Sequence, residues 1–222
     1  MINRKAFIVG IKSTSLSKKE IIFLKKYKPW GVILFSRNVK EFEQIKKLIK
    51  NIRFIFKDKN YPILIDQEGG RVNRLNKLIE TSILTAELFG DLYKKNKKKF
   101  FNYYKIYINQ ISYLLNEIGV NINTVPVLDV RRAKSSNVIG DRSYSSLSKN
   151  VSKIGDFCIE EFKKRGIGTV IKHIPGHGLA RVDSHKLTPI QKGGFSPPNW
   201  KCDNCGETNY SPKWMTPEEY KE

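Results

Sequence analysis

The chain has 222 residues, 40% of them apolar, so it can bury one sizeable core and one main domain is expected. Its formal net charge of +20 is typical of proteins that bind nucleic acid or acidic ligands, but the lysines are spread through the whole sequence, so we predict neither a nucleic-acid nor a membrane partner. The first residues lack the apolar run and cleavage site of a signal peptide, and no segment reaches the ~18 to 20 apolar residues of a membrane span, which predicts a cytoplasmic protein.

The N-terminal part alternates between predicted strands and helices. Residues 6–11 predict a first strand, and Ser17 and Glu20 have the spacing of a capping box that begins a helix. Residues 31–35 predict a second strand, which leads into a polar loop. A second helix is predicted from apolar residues at helical spacing, namely Phe42, Ile45, Leu48, Ile49 and Ile52.

Residues 62–65 predict a third strand that runs directly into the charged sequence DQEGGRVNR. Asp66 is the first residue past this buried strand, so its side chain is expected to face whatever lies over the sheet. The glycine pair 69–70 would let the backbone approach a ligand. A solvated charged turn would explain Glu68 and Arg71, and it explains Asp66 less well.

A long amphipathic helix is predicted over residues 98–117. Its aromatic residues could form a stacking surface for nucleic acid, but their helical spacing favours a role in the core. They are Phe100, Phe101, Tyr104, Tyr107 and Tyr113. Residues 122–128 then predict a fourth strand that delivers Asp129 at its end, a polar loop carries Arg142, and a further helix is predicted over residues 148–165.

The segment that follows, residues 166–189, has the sequence GIGTVIKHIPGHGLARVDSHKLTP and contains all three histidines of the chain. Its start predicts a fifth strand over residues 168–171, so the histidines fall in a loop after a strand end. Asp183 precedes His185 by two residues, a spacing that can hold the imidazole in one tautomer for general acid/base work. The alternatives are an Asx turn at Asp183 and, for His177, a bracing role within the loop.

Polar clusters recur after the predicted strands and hardly ever before them. This asymmetry is typical of an α/β fold of the (β/α)8 TIM-barrel type, whose sites lie at the carboxyl ends of the strands. A doubly wound sheet also binds ligands there, but the sequence has neither of the glycine-rich phosphate-binding loops of that class. We therefore predict an incomplete TIM barrel, with about five to six of its strand–helix units present.

Five blocks of the sequence resemble the family 3 glycoside hydrolases, in particular the bacterial β-N-acetylhexosaminidases of cell-wall recycling. The blocks are GVILFSRNV, ILIDQEGGRVNRL, NTVPVLDV, IGDRSY and IKHIPGHGLARVDSHKLTP. The resemblance implies a hydrolase that removes terminal non-reducing β-linked N-acetylglucosamine from peptidoglycan fragments by a retaining mechanism. The implied partner is a muropeptide or oligosaccharide containing N-acetylglucosamine, with no cofactor and no metal; the oligomeric state is left open.

The resemblance also implies roles for individual residues. It makes His185 the general acid/base and Asp183 the residue that holds it. The residues implied to bind the sugar are Asp66, Arg74, Arg142, Lys172 and His173. The nucleophile of the family is an Asp well downstream of the DSH block, and none can be assigned here, since Asp203 is the only later aspartate and lies in no matching motif.

The resemblance ends near Gln191, where the composition changes. We therefore expect residues 1–190 to be the N-terminal portion of the barrel and residues 191–222 to be an unrelated or disordered tail. Cys202 and Cys205 in that tail form half of a zinc site at most, and three cysteines make no disulfide framework. The alternative to an active hydrolase is a truncated sugar-binding remnant that lacks the nucleophile.

Overall fold

The computed structural model describes residues 4–132, 137–174 and 176–178, and its strands form one parallel sheet. The strands are β1 Lys5–Gly10, β2 Pro29–Leu34, β3 Ile63–Ile65, β4 Ile122–Asn123 and β5 Gly168–Thr169. Their order across the sheet is the same as their order along the chain. A doubly wound sheet reverses its order at a switch point, whereas an unbroken sequential order is that of a barrel wall. The predicted α/β, TIM-barrel-type fold is confirmed, as part of such a barrel.

Helices connect the strands within the described part of the chain. They are α1 Lys18–Tyr27, α2 Phe42–Phe56, α3 Ala86–Lys95, α4 Lys97–Ile118 and α5 Ser148–Lys163. The predicted capping box begins α1: the Ser17 hydroxyl accepts from the Glu20 backbone N–H at 3.2 Å, and the Glu20 carboxylate accepts from the Ser17 N–H at 2.8 Å. These reciprocal bonds satisfy backbone donors that have no partner inside the helix, so they fix where α1 starts.

The core lies between the sheet and the helices that cover it. All three residues of β3 are buried, as expected for a parallel strand covered on both faces. The predicted apolar stripe of α2 faces this core, with Ile45, Leu48, Ile49 and Ile52 buried. Leu24 of α1 and the inner face of α4 complete the packing, so the sheet is fixed firmly enough to position side chains at its edge.

Helix α3 was not predicted from the sequence. Gly90 in its middle lowers helix propensity, and the lysine run that follows obscures the boundary with α4. Two caps define the boundary in the structure: the Thr85 hydroxyl accepts from the Leu88 N–H, and the Asn96 side chain accepts from the Lys99 N–H, both at 3.0 Å. The sequence therefore predicted one helix in a segment where the structure has two.

Two further predictions need correction. The fourth strand was predicted over residues 122–128, but its ladder stops at Asn123. The Val125 N–H bonds back to the Asn123 carbonyl and Pro126 has no N–H to donate, so the chain pairs again only at Val127, in a separate bridge to Lys172. Of the aromatic residues assigned to the core of α4, Phe101 is 40% and Tyr113 68% exposed. The stripe that packs on the sheet is narrower than the aromatic composition suggests. None of the described helices is long and apolar enough to cross a membrane.

Candidate active site

The five residues for which the family resemblance implies a role in sugar binding lie together at the carboxyl edge of the sheet. Asp66 directly follows β3, Lys172 and His173 follow β5, and Arg142 ends a short 3-10 helix, Gly140–Arg142, in a loop that reaches the same edge. Parallel strands end at one edge, so residues that are far apart in the sequence converge there. Arg74 joins them through its contact with Asp66.

Asp66 is the most heavily bonded carboxylate of this cluster. Its Oδ2 accepts from Arg74 Nη2 at 3.0 Å, and its Oδ1 accepts from the Thr124 hydroxyl at 2.9 Å and from the Lys172 ammonium. Burial alone would raise the pKa of Asp66, but the Lys172 charge and hydrogen bond, helped by Thr124 and Arg74, hold it below its ordinary value. Asp66 is therefore a carboxylate, acting only as an acceptor, at neutral pH.

Glu68 is a second buried carboxylate, and interpreting it as part of a solvated turn is wrong. Its side chain is only 7% exposed. Arg142 donates to it through Nε and Nη2, each at 2.8 Å, and Lys172 Nζ lies 2.5 Å from Oε1. Burial would lower the pKa of the Arg142 guanidinium, but the Glu68 hydrogen bonds and charge raise it above its ordinary value.

Asp129 is the third buried carboxylate of the cluster, and no role was predicted for it from the sequence. Its side chain is completely buried, and its Oδ2 lies 2.6 Å from His173 Nδ1. The backbone N–H of His177 donates to Oδ1, which agrees with the bracing role considered for this loop residue. Burial raises the pKa of Asp129, but the bonds from His173 and His177 bring it below its ordinary value. With Nδ1 engaged, Nε2 is the ring nitrogen of His173 left for a ligand.

The glycines of the site are required by the protein's own backbone. Gly69 has φ +92°, and a Cβ there would lie 2.5 Å from the Leu84 carbonyl oxygen and 2.6 Å from the Tyr107 hydroxyl. The predicted approach of this glycine pair to a ligand is thus an approach to neighbouring protein atoms. Gly178 passes so close to the Val130 carbonyl that a side chain would overlap it, whereas Gly176 is needed for its φ of +125°.

A small cavity of about 20 Å³ is lined in part by Glu68 and Arg142. Tyr104 and Tyr144 line it with their hydroxyls 2.6 Å apart, and burial raises the pKa of the adjacent Cys158 thiol to about 12. Such a volume holds about one water molecule, far too little for a sugar ring. A sugar therefore cannot occupy this cavity.

Some predicted residues lie outside the described part of the chain. These are His185 and Asp183, together with Asp203, Cys202 and Cys205 of the tail. Within residues 4–132, 137–174 and 176–178, no group of three or more His, Cys, Asp or Glu side chains is arranged to hold a metal ion.

Replacing Asp129 with Asn is expected to destabilise the protein by about 1.5 to 3 kcal/mol at pH 7, the usual range for a hydrogen bond to a charged group. A carboxyl whose folded pKa is depressed stabilises the protein above its unfolded pKa, near 3.9, and the contribution is lost as the pH falls through the folded value. The difference between wild type and variant should therefore shrink below about pH 4. Urea unfolding at pH 7 and at lower pH values measures it.

The matched control for this prediction is Asp91→Asn, on the exposed face of α3. It removes the same charge from a site without burial and should change the free energy of unfolding by less than about 0.5 kcal/mol. A pH-independent loss of stability in Asp129→Asn would contradict the assignment of its effect to the ionised carboxylate.

Comparison with known proteins identifies the family of the chain. The sequence model of the glycosyl hydrolase family 3 N-terminal domain matches residues 6–195. A beta-hexosaminidase of Haemophilus ducreyi is 34% identical over 189 residues, which are 83% of this chain and 52% of that protein. Beta-hexosaminidase A of Pseudoalteromonas piscicida is 33% identical over 184 residues, or 79% of this chain and 30% of that protein.

Solved structures agree with the sequence matches. NagZ from Neisseria gonorrhoeae, in complex with N-trifluoroacetyl-D-glucosamine, superposes with a TM-score of 0.76 at 26% identity, covering 84% of this chain and 54% of that one. A family 3 beta-N-acetylglucosaminidase from Paenibacillus superposes with a TM-score of 0.70 at 28% identity, covering 81% and 33%. The chain spans about half the length of the Haemophilus and Neisseria proteins. With the family model matched over most of its length, the chain belongs to glycosyl hydrolase family 3.

Proposed function

We propose that the protein is a β-N-acetylhexosaminidase that releases terminal non-reducing β-linked N-acetylglucosamine from peptidoglycan fragments with retention of configuration. The observation that carries the proposal is the convergence of Asp66, Arg142, Lys172 and His173 at one edge of the sheet. Relatives that share this part of the fold are named beta-hexosaminidases, and NagZ of Neisseria gonorrhoeae binds an N-acylated glucosamine.

The charge balance of the cluster suits a neutral sugar. Three cations, Arg74, Arg142 and Lys172, face three carboxylates, Asp66, Glu68 and Asp129, so the site has no excess charge to attract a phosphate or a polyanion. Fixed donors and acceptors of both kinds can instead satisfy the hydroxyls and the acetamide of N-acetylglucosamine.

The proposed chemistry uses His185 as general acid and then general base. In the first step His185 protonates the glycosidic oxygen while a carboxylate, for which no residue is assigned, bonds to the anomeric carbon and the leaving group departs. In the second step His185 takes a proton from the water that attacks the anomeric carbon and releases that carboxylate. Asp183 holds its imidazole and raises its basicity, which suits proton transfer near neutral pH. Most glycosidases use a carboxylic acid for this step, so the histidine is the distinguishing element of the proposal.

A second candidate function is sugar binding without hydrolysis. It is favoured by the state of the carboxylates: Asp66, Glu68 and Asp129 are each held by a cation or by hydrogen-bond donors. A retaining glycosidase needs one more carboxylate that is available to attack the sugar. Within the described residues of the cluster, no carboxylate meets that requirement.

Replacing His185 with Ala tests the proposed function. The wild type is expected to release nitrophenol from nitrophenyl β-N-acetylglucosaminide, and the variant to do so about 10²- to 10⁴-fold more slowly, the range for loss of a general acid/base. Nitrophenyl β-glucoside, which lacks the acetamide, is the substrate control. Retention is checked by NMR of the first-formed product, which should be the β anomer.

Equal turnover by the two proteins would contradict the role of His185. If neither protein turns over the substrate while the wild type binds N-acetylglucosamine, the second candidate function replaces the first.

A further inference from the structure

Glu68 uses its carboxylate entirely on other protein side chains. Oε1 accepts from Arg142 Nη2 at 2.8 Å and lies 2.5 Å from Lys172 Nζ, while Oε2 accepts from Arg142 Nε at 2.8 Å. With 7% of its side chain exposed, Glu68 presents little surface to a ligand. Any contribution that it makes to binding must therefore pass through Arg142 and Lys172.

The backbone of Glu68 is fixed as firmly as its side chain. Its N–H donates to the Val72 carbonyl at 3.0 Å, and its own carbonyl accepts from the Tyr107 hydroxyl, also at 3.0 Å. Tyr107 is buried in α4, so a core helix anchors the turn from which the carboxylate projects. A rigidly held carboxylate can impose a position on the two cations that it contacts.

The two cations depend on Glu68 to different degrees. Among the described residues, Arg142 has one further side-chain hydrogen bond, from Nη1 to the Val138 carbonyl at 3.2 Å, and this bond does not set the plane of the guanidinium. The paired bonds to Glu68 do set that plane, because two parallel donors and two acceptors lie in one plane. Lys172 also has Asp66 as a partner, so Glu68 decides where its ammonium lies between the two carboxylates.

We infer that Glu68 is a positioning residue, which orients Arg142 and Lys172 for the sugar while contacting no substrate atom itself. The inference rests on the proposed function, in which these two cations bind N-acetylglucosamine. The sequence alone suggests no role for Glu68, and its bidentate pairing with Arg142 provides one.

The test is the dissociation constant of N-acetylglucosamine, measured by calorimetry or NMR titration. Glu68→Gln keeps the size of the side chain but turns an amide NH2 toward one of the cations, so the dissociation constant should rise at least about 10-fold, as when a buried charge pair loses one partner. Glu68→Asp keeps the charge but is one methylene shorter and can serve only one cation well, so it should bind with intermediate affinity.

Glu161→Gln is the matched control. Glu161 of α5 is also a buried carboxylate, 3% exposed, and it also contacts two cations: Lys164 at 2.7 Å and Arg165 at 2.9 Å. Its loss should lower the unfolding temperature about as much as Glu68→Gln does, without changing the affinity for the sugar. If both variants weaken sugar binding equally, the effect is one of general stability and the inference is overturned.

A second measurement does not depend on the sugar. In 15N-labelled protein, the Arg142 Nε–H signal, assigned by its loss in Arg142→Lys, should exchange slowly with water in the wild type and in Glu161→Gln and rapidly in Glu68→Gln. An unchanged signal in Glu68→Gln overturns the inference. If the wild type binds no N-acetylglucosamine, the proposed function fails, and loss of the signal in Glu68→Gln would still establish that Glu68 orients Arg142.

Discussion

Asp66→Asn is expected to raise the dissociation constant for N-acetylglucosamine by about 100-fold, which corresponds to about 2.7 kcal/mol. Asp66 is a carboxylate that acts only as an acceptor, and Arg74, Lys172 and Thr124 hold it in position. It can therefore accept hydrogen bonds from sugar hydroxyls without first reorienting. The amide replaces one acceptor with a donor that faces a cation. A sugar hydroxyl that loses its acceptor in the variant is left buried without a hydrogen bond. The free energy of removing it from water is then not recovered, which makes the loss of affinity large.

The control for Asp66→Asn is Asp58→Asn. Asp58 also forms an ion pair, with Arg4, but it lies after α2 and before β3, at the amino end of the strands. Removing its charge should lower stability modestly and leave the dissociation constant for the sugar unchanged. Calorimetric titration of both variants measures the difference, and equal affinities for Asp66→Asn and the wild type would remove Asp66 from the proposed sugar site.

Gly90→Ala is expected to have the largest effect on stability, a loss of more than about 3 kcal/mol. Gly90 lies in the middle of α3 where the helix touches the backbone carbonyl of Tyr144, and a Cβ at this position would overlap that carbonyl. Backbone cannot rotate away as a side chain can, so α3 and the loop after Arg142 must separate. Thermal unfolding followed by circular dichroism measures the effect.

Gly155→Ala provides the comparison for Gly90→Ala. Gly155 is also a helical glycine, in α5, but its nearest neighbour is the Cδ2 end of the Leu128 side chain, 2.5 Å from the added Cβ. A side-chain end can move at small cost, and alanine favours helix over glycine by up to about 1 kcal/mol. We expect a change of less than about 1 kcal/mol, so an equally large loss in both variants would mean that backbone overlap is not the cause.

The sequence was sufficient to predict the strand–helix alternation and the edge at which the site lies. Asp66 and Lys172 could be placed there because each stands at or near the end of a short apolar run, a local pattern that burial of a parallel strand imposes. The order of the strands could be established only from the structure, since the sequence of one strand does not specify the strand with which it pairs. The cap at Ser17 was predictable because both of its partners lie within four residues.

The contacts that define the site were beyond local patterns. Glu68 pairs with Arg142 across 74 residues, and Asp129 pairs with His173 across 44. In the sequence, Glu68 is indistinguishable from an exposed charge in a turn, because its burial depends on cations from two distant segments. The position of Asp129 after a predicted strand did indicate a site residue. Its partner His173 could not be predicted, because the residues next to Asp129 in the sequence do not specify it.

The sequential strand order determines when each part of the molecule can form during synthesis. Each new strand meets an edge that is already present, so the sheet can grow in the order in which the chain is made. The charged cluster cannot, because Asp66 precedes its partner Lys172 by 106 residues. At a synthesis rate of ~5 to 20 residues per second, about 5 to 20 s pass between the synthesis of Asp66 and that of Lys172. The carboxylates of the site thus lack one of their cations while the sheet beneath them is being built, and only Arg74 and Arg142 are available to them before Lys172 is made.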